Sequence, residues 1–188
     1  SGLRKRKVGI VGNVQLDAMI GEIDHSGFLF DGKGTLRHKK TPNLKGSFTE
    51  FLAVTGACLA IRKDLYHELD GLDERYENGC EDIDLCFKAK EIGLKTIVAN
   101  ESTINHYVSS TRKINTLHNE SNMRLFQTKW RSQIFTAMAR GWPAAYLQGL
   151  IDGSESVSLK KVGEAVSHFF LNKKLPPSGK LIVEAKLK

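Results

Sequence analysis

The stretch "NGCEDIDLCFKAKEIGLKTIVA", residues 78–99, governs the reading of the whole chain, because an acidic turn, a helix and a strand follow one another in it directly. Three carboxylates, Glu81, Asp82 and Asp84, fall inside four positions, flanked by Cys80 and Cys86. Ile83, Cys86, Phe87 and Lys90, with Leu85, Ala89 and Ile92 on the neighbouring stripe, describe a broad apolar helix face. Gly93 stands where a left-handed C′ residue is wanted and Leu94 where its apolar partner falls. "KTIVA" (95–99) predicts a strand. Asp82 directly precedes the periodic run, so its carboxylate is expected to cap the helix, with Glu81 and Asp84 complementing the positive end of the dipole. Asp82 and Asp84 also spell D-x-D. Two residues apart at a helix start, however, they point roughly 200 degrees apart and could not easily share one cation.

Upstream, "FLAVTGACLAIRKDLYHELDG" (51–71) reads as an apolar strand to Ile61, broken or bulged at Thr55-Gly56, then a short helix through Leu65 and Leu69 with Gly71 as terminator. Residues 54–99 therefore run strand, helix, acidic turn, helix, strand, which is α/β material. "KVGIVGN" (7–13) predicts a buried strand closed by Gly12 and Asn13. Between 17 and 50 periodicity is slight, so a long loop with one short strand at "GFLF" (27–30) is expected. "ESTINHYVSSTRK" (101–113) reads as a polar loop with His106 just past a strand. Helical signals dominate from about 119 to 150, and a second helix over 154–174 has Ser156 or Ser158 as its cap. Pro176-Pro177-Ser178-Gly179 ends it.

The 188 residues amount to about one domain, with 40% apolar and 26% charged residues, which excludes wholesale disorder and fibrous classes. No apolar run reaches the roughly 18 residues of a membrane span. The opening SGLRKRK lacks the apolar core of a signal peptide, and a cytoplasmic location is expected. The three cysteines, at 58, 80 and 86, fit neither a disulfide framework nor a paired zinc motif, so reduced and mostly buried thiols are expected. A net charge of +7 favours an anionic partner, although much of the excess lies in solvated runs such as 4–7, 160–161 and 173–174.

As a set, Thr55-Gly56-Ala57-Cys58-Leu59 with Arg62, Asp70-Gly71-Leu72-Asp73-Glu74, Glu81-Asp82-Ile83-Asp84-Leu85 and His106 resemble the acceptor-binding half of the family-2 glycosyltransferases, inverting enzymes of the GT-A fold. The resemblance covers roughly residues 7–130. Asp70 and Leu72 replace the commoner Gly and Phe, a change of packing rather than chemistry. It implies a partial GT-A mixed sheet, like that of nucleotide-diphospho-sugar transferases, with flanking helices and a helical C-terminal region. The expected organisation is an acceptor-binding half over 1–113, a helical extension over 114–175 and a charged tail over 176–188.

The resemblance further implies that Asp82 is the general base, deprotonating an acceptor hydroxyl as it attacks the anomeric carbon of a nucleotide sugar, with Glu81 orienting the acceptor. Gly56 and Ala57 would let backbone approach the acceptor, a plain bulge being the alternative. His106 resembles the histidine that completes a divalent-metal shell, Mg2+ or Mn2+ in the complete enzyme, though a solvated ring is as good a reading. Arg112 and Lys113 would meet the diphosphate leaving group, or are simple surface charges. The family's opening nucleotide-binding units do not precede residue 7, and Ser1-Gly2 reads as a cloning-tag remnant. A piece of a longer polypeptide is therefore expected, inactive alone and binding no metal tightly.

The implied partners are a nucleotide-sugar donor and a carbohydrate or lipid-linked acceptor. Two rivals remain. One is a non-catalytic carbohydrate- or protein-binding module. The other is a basic surface for nucleic acid or anionic lipid; nucleic acid is disfavoured because the lysines are not interleaved with aromatics, whereas lipid would hold the chain peripherally at the inner membrane face.

Overall fold

The computed structural model describes residues 7–30, 36–43, 46–77, 79–107, 116–151, 153 and 155–171. It is a mixed α/β fold with a curled mixed sheet, flanking helices and a helical C-terminal region, consistent with a partial nucleotide-sugar transferase-like fold. The chain divides into two compact units, residues 1–28 with 38–123, and residues 29–37 with 124–188.

In the first unit the longest strands, β1 (Val8–Asp17) and β7 (Lys95–His106), pair in parallel, with Val11 opposite Ile97 and Gly12 opposite Val98. Their neighbours are all antiparallel: β2 (Ile23–His25) and β6 (Leu59–Ile61) on β1, and β5 (Phe48–Phe51) on β7. The Val/Ile content of β1 and β7 suits a parallel pair covered by helix, and Ile10 and Val98 are fully buried. A Cβ added at Gly12 would stand 2.7 Å from Val54, so the side chain is absent where the segment leading to β6 crosses β1. The parallel pairing slips between Asn13 and Val14, whose partners on β7 are Ala99 and Thr103. Asn100, inside that irregularity, donates through Nδ2 to the Gly46 carbonyl at 2.8 Å and to Thr49 Oγ1 at 2.9 Å, fastening the approach to β5.

The helix read after Asp82, from Ile83 to Ile92, is α2 (Glu81–Glu91), and its end follows the expected chemistry. Gly93 is left-handed, with φ 79, the Leu94 amide donates to the Ala89 carbonyl and the Gly93 amide to that of Lys90. Ile83, Leu85, Cys86, Phe87 and Ala89 are buried. The preceding α1 (Lys63–Glu68) is the short helix expected after the TGAC segment.

Several expectations are corrected. Asn13 does not close β1, which runs on to Asp17. Residues 17–50 are not a loop with one strand: besides β3 (Phe28–Phe30), which pairs with β4 (Leu36–His38), they contain β2 and most of β5. These strands are three or four residues long and owe their form to pairing partners rather than to any periodicity of their own. Residues 101–106 are likewise strand, held by β1, so His106 is the last residue of β7. None of the three cysteines is in a disulfide, but only Cys86 is buried, its thiol pushed up to about 12 by burial; Cys58 and Cys80 are half-buried.

The C-terminal region is helical as read. It begins with α3 (Thr116–Lys129), in which the division between units falls. In the second unit, α4 (Arg131–Ile151) and α5 (Leu159–Leu171) share a small core of Trp142, Tyr146 and Ala165. The Trp142 and Tyr146 rings stack at 5.7 Å, and the Ser158 amide donates to the Tyr146 hydroxyl. Ser158 also caps α5, its Oγ accepting from the Lys161 amide. Among the described residues, no helix is long and apolar enough to cross a membrane. The tail 176–188 lies outside the described residues.

Gly12→Ala should destabilise the chain by about 1–3 kcal/mol, the usual cost of forcing a methyl into a filled site. Urea unfolding of the two proteins measures it.

Candidate active site

The helix that carries the acids starts two residues earlier than its sequence suggests, with its cap at 80 rather than 82. Cys80 holds the N-cap position in a left-handed conformation, φ 75, and makes no side-chain cap bond, so Asp82 lies within the first turn rather than capping it. Its carboxylate is thereby divided between two elements. Oδ1 accepts from the Ile83 amide at 2.8 Å, and Oδ2 accepts from the Gly56 amide at 2.6 Å, across to the segment before β6. A Cβ on residue 56 would stand 3.1 Å from the Asp82 Cβ, so the close approach leaves little room for a side chain there.

Because β6 runs antiparallel to β1 with Leu59 opposite Gly12, Gly56 and the Asp82 bonded to it lie toward the carboxyl end of β1. That end is where ligands bind in α/β sheets. Burial pushes the Asp82 carboxyl above its ordinary 3.8; the Gly56 amide pulls it down, neighbouring Glu81 pushes it up, and the Ile83 amide pulls it down. Desolvation thus outweighs the two amides in setting this group's direction of shift. Two amide bonds leave lone pairs on both oxygens for a further donor. Glu81 lies beside it with Oε2 buried and without a hydrogen-bond partner. Ala57 is exposed, and its amide points back to Thr55 Oγ1 at 3.4 Å.

Asp84 turns away from Asp82. Fully buried, it accepts from the Tyr76 hydroxyl at 3.1 Å and stands 3.8 Å from Lys88 Nζ, which also donates to the Gly71 carbonyl. Burial pushes the Tyr76 phenol up, with the Asp84 charge and hydrogen bond adding to it. Asn122 clamps the same turn, Oδ1 accepting from the Glu77 amide and Nδ2 donating to the Glu77 carbonyl, each at 3.0 Å. Asp84 therefore fixes the turn that presents Glu81 and Asp82.

A polar cluster that the sequence did not disclose stands behind Gly56. His25 is fully buried; its Nε2 accepts from the Thr55 amide at 3.4 Å and its Nδ1 lies 3.0 Å from His38 Nδ1. The Thr55 contact places the His25 proton on Nδ1, which donates to His38. Burial, with His38 adding to it, lowers His25 to about 3. On the neighbouring strand, Asn13 and Gln15 are 5% and 1% exposed, and Asn13 Oδ1 and both Gln15 amide atoms have no hydrogen-bond partner. Antiparallel register sets Gln15 opposite His25, so these side chains share one face of the sheet. No pattern of chemical spacing marks them in the sequence; isolated polar letters in an apolar strand are the only sign.

The structure brings Asp82, Glu81, Gly56 and Ala57 together. His106 is elsewhere, at the tip of β7, with its carbonyl accepting from the Ala18 amide and its buried Nδ1 3.8 Å from Asp24 Oδ2 and not hydrogen-bonded. Asp24 is held below 3.8 although burial opposes this, because Lys40 donates to it at 3.0 Å and His38 and His106 add positive potential. Among the described residues no three metal-ligating side chains converge, so His106 and Asp24 alone do not make a site for Mg2+ or Mn2+. Arg112 and Lys113 lie outside the described residues. An open recess lined by Phe51, Lys90, Lys95 and Thr96 lies at the amino end of β7, away from Asp82.

No family model matches the chain. Over 123 residues, 60% of its length, the chain is 26% identical to the O-antigen biosynthesis protein RfbC of Myxococcus xanthus. The match covers 10% of that relative, so the chain spans about a tenth of its length.

Two of the shifted groups, His25 and Asp82, act on stability in opposite directions. His25 is depressed, so the neutral ring stabilises the fold above pH 6.5 and that stability drains away as pH falls toward 3. Asp82 is raised, so its contribution is full below 3.8 and is lost as pH rises through the folded value. The loss of unfolding free energy as pH falls from 6.5 toward 3 should therefore be less steep in His25→Leu than in the parent chain, whatever the absolute cost of the substitution.

Proposed function

We propose that this chain is the acceptor side of an inverting family-2 glycosyltransferase, moving a sugar from a nucleotide-sugar donor to a hydroxyl in polysaccharide or glycolipid biosynthesis. The observation that carries the reading is the Asp82 carboxylate, half-buried and raised in pKa, tethered to Gly56 and still offering lone pairs. The TGAC, EDIDL and His106 resemblance supports it, as does the similarity to an O-antigen biosynthesis protein of M. xanthus.

Asp82 accepts the proton of an acceptor hydroxyl while that oxygen bonds to the anomeric carbon from the face opposite the leaving nucleoside diphosphate. The stereocentre inverts, and the proton ends on Asp82. Desolvation raises the carboxylate's basicity, and a base nearer working pH transfers protons more effectively. The Gly56 and Ile83 amides fix the carboxylate's orientation without engaging all its lone pairs. Glu81, its Oε2 buried and unpartnered, receives a second acceptor hydroxyl. His106 would give one imidazole to a divalent ion whose remaining ligands the described residues do not supply. Arg112 and Lys113 are assigned to the leaving diphosphate on the resemblance alone.

The test is made in the full natural polypeptide that carries this sequence, with nucleotide sugars as donors. Asp82→Asn should lower kcat about 10²–10⁴-fold, the usual worth of a general base, with acceptor binding retained. Unchanged turnover would reduce the acids to a helix start and favour the non-catalytic binding module.

A further inference from the structure

His38, at the end of β4, is exposed, whereas His25 of β2, against which it lies, is fully buried. The two rings meet edge to face at 4.9 Å with their Nδ1 atoms 3.0 Å apart. Backbone bonds hold them so: the Ser26 amide donates to the Lys39 carbonyl at 2.8 Å, and the Lys39 amide to the Gly27 carbonyl at 2.9 Å. The Phe28 ring packs on His38 at 4.6 Å. On its other side His25 Nε2 accepts from the Thr55 amide at 3.4 Å, and Thr55 precedes Gly56, whose amide holds Asp82. A continuous relay of contacts thus runs from an exposed histidine to the carboxylate in the first turn of α2.

Proton counting decides what this relay can do. Two neutral rings carry two protons on four nitrogens, and two lone pairs remain. Both are used, His38 Nδ1 accepting from His25 and His25 Nε2 accepting from Thr55. With one proton more, a single lone pair is left for the two contacts. If it stays between the Nδ1 atoms, His25 Nε2 carries a proton and turns a donor toward the Thr55 amide. If it stays on Nε2, two N–H donors face each other at 3.0 Å. The first arrangement is the cheaper, because the Nδ1 contact is the shorter of the two and becomes charge-assisted. Burial keeps the charge off His25 and leaves it on the exposed ring. Around the pair, Asp24 of β2 favours the added proton, while Lys40, which pairs with Asp24, and His106 of β7 oppose it. We propose that His38 is a proton sensor for residues 55–57: when its ring is charged, His25 bears its own proton on Nε2, the Thr55 amide loses its acceptor, and Gly56 holds Asp82 less firmly. The consequence for catalysis rests on the sugar-transfer reading; the relay does not, and its test uses no sugar.

Long-range proton–nitrogen spectra of the histidine rings in the 188-residue chain test it from pH 8 to 5, the range in which an ordinary histidine charges. As His38 charges, His25 should pass from the Nδ1–H to the Nε2–H form with the same midpoint. The hydrogen-exchange protection of the Thr55 amide should fall with it by about 2- to 10-fold, the worth of one hydrogen bond. Protection of Leu85 in α2 should hold, which separates the relay from unfolding. His38→Gln, at an exposed position, keeps an acceptor for His25 but cannot charge, and should abolish both changes. Should that variant fail to fold, the titration of the unaltered chain decides alone. A His38 that stays neutral to pH 5, a His25 that keeps its Nδ1 proton while His38 charges, a Thr55 amide indifferent to pH, a parallel loss at Leu85, or the same two changes in His38→Gln would overturn the proposal.

Discussion

The bond from the Gly56 amide to Asp82 Oδ2, 2.6 Å long, is the constraint around which the first unit is arranged. It ties the irregular segment before β6 to the first turn of α2 and pulls the carboxylate out of the capping position. Thr55, next to Gly56, is in turn engaged by His25 of β2. Strand, loop and helix thus meet within a few residues, and the carboxylate at the junction is partly desolvated because all three converge on it. A group so placed has a raised pKa and a fixed direction, the two properties a base requires.

Much of this was legible in residues 78–99. The apolar face of α2, its Gly93 terminator and the strand after it follow from periodicity and end chemistry, and all three are present. The cap departs from that expectation for a local reason. Asp82 is a good capping residue in isolation, but the left-handed Cys80 lets the helix begin earlier and frees the carboxylate for a partner 26 residues upstream. Such tertiary competition has no signature in a window of sequence. The short strands of residues 17–50 and the continuation of β7 to His106 were hidden likewise, because their form comes from neighbours and their composition is polar.

The candidate site divides along the same line. The EDIDL letters drew attention to three acids, and geometry separates them: Asp82 faces Gly56, Asp84 is committed to Tyr76 and Lys88, and Glu81 retains an unpartnered oxygen. His25, Asn13 and Gln15 could not have been found by spacing, since only the register of β1 with β2 sets them on one face. His106 keeps company with Asp24 rather than with the acids of α2, so a role for it in sugar transfer depends on groups beyond those described.

Whether Asp82 is a poised base or a helix-starting acid is decided most directly by its own titration, followed through the carboxyl carbon resonance in isotope-labelled protein. Desolvation at the Gly56 junction predicts a midpoint above 3.8. A midpoint at or below 3.8 would mean that the amides win, and would contradict the account of this site.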